Sequence, residues 1–157
     1  MIATPQWRTG RTILVIYVIA VLLNYVWELA ESPLYVGISH LRKIWWHCGI
    51  AAIGDAFLVL IIYTAGWLIF RNPSWFKKPG WRGYLLMLGA GLVISSGIEF
   101  VAVNIFSLWA YKRPMPLLPG FGVGLAPVAQ MVVLPALTFH ALAAWQERKS
   151  DFMNNRE

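Results

Sequence analysis

The run IWWHCGIAAIGDAFLVLIIYTAGWLIF, Ile44 to Phe70, holds a single acid, Asp55, and neither lysine nor arginine. A bilayer core about 30 Å thick is crossed by a helix of about 20 mostly apolar residues, and this run exceeds that length. Working outward from it, three more apolar runs follow the same rule, at about 12–31, 83–111 and 123–145. The expectation is an all-α polytopic membrane protein. Its four transmembrane helices form one bundle, and residues 1–157 make a single membrane domain.

Composition agrees with that reading. Of 157 residues 59% are apolar and 13% charged, where soluble domains carry about 45–50% and about 25%. The excess of 13 Lys+Arg over 7 Asp+Glu gives a net charge of +6. These basic residues lie in the connections, the pattern of membrane topology and not of nucleic-acid binding. One cysteine, Cys48, excludes an intrachain disulfide and any CxxC motif. No P-loop, GxSxG or HExxH motif occurs.

Arg8, Arg11, Arg71, Lys77, Lys78, Arg82, Arg148, Lys149 and Arg156 fall on one side of the four spans, against Arg42, Lys43, Lys112 and Arg113 on the other. The richer side is the cytoplasmic one, so both termini are expected there, in what would be a bacterial cytoplasmic membrane. The first run is followed by Glu28-Leu29-Ala30-Glu31, which spoils a small-x-small cleavage pattern and predicts an uncleaved helix. Tryptophans are expected as interfacial belts, with Trp27, Trp45, Trp46 and Trp109 outside and Trp7, Trp67, Trp75, Trp81 and Trp145 inside. Three prolines between Lys112 and Gly122 predict a rigid, apolar outer loop.

Ala52/Ala56 and Gly91/Ser95 have small-xxx-small spacing, so spans two and three are expected to touch closely. Pro127 and Pro135 are expected to bend span four and free carbonyls.

Ionisable side chains inside a membrane are costly and by default point to function. At about 1.5 Å per residue from the expected outer helix ends, Glu28 lies about 6 Å deep, Asn24 about 12 Å, and Asp55 and Glu99 about 16 Å. His47 sits near the outer end of span two and Gln130 about 9 Å below the start of span four. Asn24/Glu28, Ser95/Glu99 and His47/Ala51/Asp55 recur at steps of four, one polar stripe per helix. Facing lipid would leave these groups unsatisfied, so the stripes should turn inward to a shared polar pocket in the outer half. No lysine or arginine reaches that depth, which favours neutral carboxylic acids able to deliver a proton. Asp55 and Glu99 would share one proton if they meet. Glu31 reads as a wetted helix-end residue paired with Arg42 or Lys43. His47 next to Cys48 suggests a metal, but adjacent helical residues point about 100° apart, so no metal site or cofactor is expected.

Asn24-Tyr25-Val26-Trp27-Glu28 resembles the Asn-x-x-Trp-Glu element of the small integral-membrane terpene cyclases of fungal meroterpenoid and indole-diterpene pathways. The resemblance covers these five residues of one helix, and that family has more spans than this chain. It implies that Glu28 protonates an isoprenoid epoxide or alkene, with Trp27 as a cation-stabilising ring. The wider pattern of Trp27-Glu28, Trp46-His47-Cys48, Gly54-Asp55 and Met115-Pro116-Leu117 resembles a family of uncharacterised bacterial membrane proteins.

The resulting expectation is a protein that binds a lipid or isoprenoid and acts on it as an acid–base isomerase or cyclase. Glu28, Asp55, Glu99 and His47 are the candidate catalytic residues, and Asn24, Trp27, Gln130 and Trp46 the candidate ligand contacts. Two alternatives stand beside it. One is a structural or assembly subunit of a membrane complex, whose polar groups pair across its own helices or with a partner, a second copy included. The other is a proton-coupled or metal-ion carrier.

Overall fold

The computed structural model describes residues 6–37 and 41–154, with the side chains at 6–8, 41–43, 150, 151, 153 and 154 outside the description. The chain forms helices α1 (Gln6–Glu31), α2 (Leu41–Phe70), α3 (Gly80–Phe100) and α4 (Leu125–Asn154). A π-helical turn, Val101–Ile105, prolongs α3. All four helices are long and apolar enough to span a membrane, as in a multi-pass membrane protein.

Their surfaces are organised for lipid. On α1, Leu14, Val18, Leu22 and Val26 recur every four residues and are exposed, while Ile16, Ala20 and Asn24 recur at the same step and are buried. The outward stripe is thus wholly apolar, while the inward one runs from Ile16 through the small Ala20 to the polar Asn24, unlike a water-soluble helix, whose outward face is polar. Because the helices alternate in direction, α1 begins beside the end of α4, where the Arg11 guanidinium lies 5.9 Å from the Trp145 ring. That terminal end is opposite the cap described below.

Around the bundle the order is α1, α2, α3, α4. Helix α1 packs extensively on α2 and on α4, and α3 extensively on α4. By contrast, α2 and α3 touch only sparsely. This corrects the expected close contact between spans two and three. Gly91 faces α4 instead: a Cβ there would lie 2.0 Å from the Met131 carbonyl oxygen. Pro135 explains why that carbonyl is available. A proline has no N–H to give to the residue four before it, so Met131 is left without its usual helical donor. Ser95, one turn along, donates its hydroxyl to the Pro127 carbonyl at 3.0 Å. Pro127 itself sits in the first turn of α4, where a proline removes no helical hydrogen bond.

The terminal end is closed by rings. Tyr63, Trp75, Phe76 and Phe139 are all buried and stack at centroid distances of 5.5–6.3 Å. Trp75 gives its indole N–H to the Tyr63 carbonyl at 3.1 Å, and Tyr63 its hydroxyl to the Pro73 carbonyl at 2.9 Å. Gly66 makes room, since a Cβ there would lie 2.2 Å from the Trp75 ring. Trp75 is therefore a core residue and not the interfacial anchor expected from sequence.

At the opposite end the third span stops sooner than the expected position 111. Phe106 N–H bonds back to the Val101 carbonyl and Leu108 N–H to the Ala102 carbonyl, and Ser107 adopts φ 50°, which turns the chain out of the helix. Beyond this turn the chain leads through Trp109 to Tyr111 and meets the first loop. Val36 N–H bonds to the Ala110 carbonyl at 2.9 Å and Lys112 N–H to the Leu34 carbonyl at 2.8 Å, an antiparallel bridge that pairs Tyr35 with Tyr111. A second bridge, Leu117 with Gly124, folds the proline-containing loop on itself. The two loops together form a cap.

Candidate functional site

Under the cap lies a cavity of about 610 Å³, within the range of about 300–1,000 Å³ common for small-molecule sites. All four helices contribute to its wall: Glu28 and Glu31 from α1, Asp55 from α2, Glu99 from α3 and Gln130 from α4. Thus four of the chain's seven acidic residues share one space. Among the described residues that line it there is no lysine or arginine.

The Glu28 and Asp55 carboxyls come together on one donor, the side-chain amide of Gln130. Two carboxyls so close, with no described lysine or arginine beside them, repel when both are ionised and are eased by a proton held between them. The Gln130 amide nitrogen reaches Asp55 Oδ2 at 2.9 Å, Asn24 Oδ1 at 2.9 Å and Glu28 Oε1 at 3.3 Å. With two hydrogens for three acceptors, this amide ties α4 to both α1 and α2. Asn24 is wholly buried beneath the cavity and turns its own amide N–H₂ back to the Ala20 carbonyl at 2.8 Å. Asn24 therefore supports the floor through Gln130 and does not line the wall.

The other two carboxyls are held differently. Glu31 accepts from the Trp27 indole at 3.0 Å and from the Tyr35 hydroxyl at 3.2 Å. Glu99 accepts from the Trp109 indole at 3.3 Å and from the Tyr111 hydroxyl. Each acid has one tryptophan and one tyrosine, and the two tyrosines are the residues paired across the cap, with ring centroids 5.6 Å apart. Burial first, and then the charge of Glu31, pushes the Tyr35 phenol well above its ordinary value; burial first, and then the hydrogen bond to Glu99, does the same for Tyr111. Both phenols accordingly remain protonated donors.

The structure brings Glu28, Asp55, Glu99, His47 and Gln130 to this one cavity. It joins Asp55 to Glu28 through Gln130, while Glu99, with which Asp55 would share a proton if the two met, is bonded to Trp109 and Tyr111. Of the residues named as ligand contacts, Trp27 and Trp46 do not line the wall. Trp27 is directed to Glu31, and Trp46 is 71% exposed on the outside of α2. His47 is exposed at the rim. Glu31 is the principal residue missed: it is only 5% exposed, and its indole and phenol partners leave it no need of a surface cation. The expected partners Arg42 and Lys43 have side chains outside the described residues. The signal was present as Trp27, Glu31 and Tyr35 at steps of four. Tyr111 and Trp109 had no comparable signal, because they reach Glu99 through a loop that folds back.

Among the described residues, no three His, Cys, Asp or Glu side chains are grouped so as to hold a metal ion. Cys48 is buried in the wall one residue from His47. No known family model, curated protein or solved structure matches the chain.

The arrangement has three chemical capacities. The Glu28–Asp55 pair carries a transferable proton. Glu99, on another helix, offers carboxyl oxygens that can receive one. Gln130 fixes the orientation of the first pair, so a proton leaves from a defined position.

Proposed function

We propose that this membrane protein binds a lipid of isoprenoid type in the capped cavity and acts on it by acid–base catalysis, as a double-bond isomerase or a cyclase. The observation that carries the reading is the meeting of the Glu28 and Asp55 carboxyls on the Gln130 amide, in the wall of a cavity that no described lysine or arginine lines. The pair delivers its proton to an alkene carbon, forming a C–H bond and leaving a carbocation. Loss of a proton from a neighbouring carbon to Glu99 forms the new double bond, and return of that proton to the pair restores the protein. Cyclisation inserts a C–C bond-forming step between these two transfers. The positive-side count supports a cavity in the outer half of the bilayer, with both termini cytoplasmic.

The test is native mass spectrometry of the detergent-purified protein, with extraction of bound small molecules, comparing wild type with Glu28→Gln and Glu99→Gln. A stoichiometric isoprenoid whose identity or occupancy changes in the variants supports the reading. Bulk phospholipid alone in all three samples overturns it. A second reading, an assembly subunit, is favoured by the Gln130 contacts that join three helices, which would serve rigidity alone. It requires a fixed copurifying partner that is lost with Gln130→Leu.

A further inference from the structure

The mouth of the cavity narrows the class of ligand. Six residues both line the space and are exposed: Val36 and Gly37 from the first loop, His47 and Ile50 from α2, Ile98 from α3, and Leu108 from the segment after it. Ile50 is 56% exposed, Ile98 43% and Leu108 65%. Four of the six carry aliphatic side chains, and they border the seam where α2 and α3 scarcely touch. An opening between two membrane-spanning helices, rimmed by aliphatic side chains, faces hydrocarbon.

The wall then restricts the polar end of whatever enters. A phosphate placed there would lie among four carboxyls with no lysine or arginine among the described lining residues to pair with, and burying an unpaired charge is strongly unfavourable. A cationic head is not called for either. Glu28 and Asp55 both accept from the Gln130 amide, and Glu31 and Glu99 each already accept from an indole and a phenol. The groups that remain suit a neutral oxygen that donates or accepts a hydrogen bond.

Resting on the function proposed above, we infer that the cavity is loaded sideways from the bilayer through the α2/α3 seam, by a lipid whose polar end is uncharged. A prenyl alcohol has this chemistry; a prenyl diphosphate or a phospholipid does not. The hydrocarbon tail lies along the seam and the oxygen beneath the cap.

The experiment is photo-crosslinking of the protein in phosphatidylcholine vesicles. The probes are a diazirine analogue of geranylgeraniol and the matching diphosphate, with peptide mapping of the adducts. The alcohol should label α2 and α3 around Asp55 and Glu99, and unlabelled geranylgeraniol should compete at least about tenfold better than its diphosphate, a difference of about 1.4 kcal/mol. Ile98→Trp, at the mouth, should slow cavity labelling severalfold, whereas Val93→Trp, 72% exposed elsewhere on α3, should leave it unchanged. Equal or better competition by the diphosphate, or stronger labelling by an amine analogue, overturns the uncharged end while lipid binding stands. Wild-type labelling rates in a folded Ile98→Trp overturn loading through the seam. Adducts on the outer surface only, with none in the cavity, overturn the functional reading itself and this inference with it.

Discussion

The two ends of the bundle solve the same problem in opposite ways. At the terminal end, rings fill the space between helices, and the Trp75 and Tyr63 side chains donate to backbone carbonyls, which are fixed in position. At the cap end, the helices stand around a cavity, and indole, phenol and amide groups donate to carboxyls, whose oxygens can change protonation. In lipid there is no water-driven attraction between helices, so close packing and hydrogen bonds must hold them together. The closed end and the Gly91–Met131 contact supply that packing, and the cap end is thereby free to keep a void and four acids. A cavity in so small a bundle depends on the half where rings fill the space between helices.

The comparison breaks most readily at Gly66. A valine there drives Cβ into the Trp75 ring and should expel the indole from its place among Tyr63, Phe76 and Phe139. We expect a loss of about 3 kcal/mol, the upper range for overpacking a core, read from unfolding by denaturing detergent. Ligand occupancy per folded molecule should not change. A loss under about 1 kcal/mol would mean that the ring cluster is not what holds the helices.

Gln130→Leu tests the join between the halves and should have the next largest effect. It removes the donor shared by Asn24, Glu28 and Asp55 and leaves the buried Asn24 oxygen without its partner. An unpaired buried acceptor costs about 1–3 kcal/mol, though interhelical hydrogen bonds in membranes average nearer about 0.6. We expect about 1–2 kcal/mol of lost stability together with impaired catalysis. Unchanged stability with impaired catalysis would assign Gln130 to positioning alone.

How far the sequence reveals this division depends on what kind of contact is involved. The spans are legible because a long apolar run has few other fates, and the convergence of Glu28, Asp55, Glu99 and Gln130 follows from the cost of facing them to lipid. Which neighbours they find is another matter. Gly91 and Ser95 announce a close approach, but small residues say nothing about which helix approaches, and it is α4. The end of α3 is hidden because Phe106, Leu108 and Trp109 are as apolar as the helix before them. Only the left-handed turn at Ser107 separates the two. Misplacing that end puts Glu99 about 16 Å deep, where it lies six residues before Ile105, or about 9 Å. The error in depth set it level with Asp55. Glu31 was obscured for a different reason, since nearby basic residues in the sequence offered a simpler partner than an indole one turn back.

Glu28→Gln sharpens the contrast between holding and reacting. Glutamine keeps the shape and can still accept from Gln130, so stability should change by less than about 1 kcal/mol. The proton is what is lost. In heavy water, wild-type protein should introduce deuterium into an alkene-containing prenyl alcohol, and the variant should do so at least about a hundredfold more slowly, the usual contribution of one acid–base group. Equal deuterium uptake would remove Glu28 from the reaction and leave it as a structural partner of Asp55.

The smallest effect at neutral pH, and the most selective for the cap, is expected from Tyr35→Phe combined with Tyr111→Phe. Each substitution keeps the ring and removes one hydroxyl donor, at Glu31 and at Glu99 respectively. The cost should be about 1 kcal/mol for the pair. Its signature lies in the alkaline limb of the stability curve. A free tyrosine loses its proton near 10.0, and in the folded chain burial holds both phenols above that value. Between the two values the unfolded chain releases protons that the folded chain keeps, so stability is level below about pH 9 and falls as pH rises past about 10. Removing both phenols should make that fall shallower, even though the protein starts slightly less stable. The cap would then cross over, weaker than wild type at neutral pH and relatively stronger in alkali. Parallel pH curves for the two proteins would show that the tyrosine pair is wetted, and that the cap does not seal the acids beneath it.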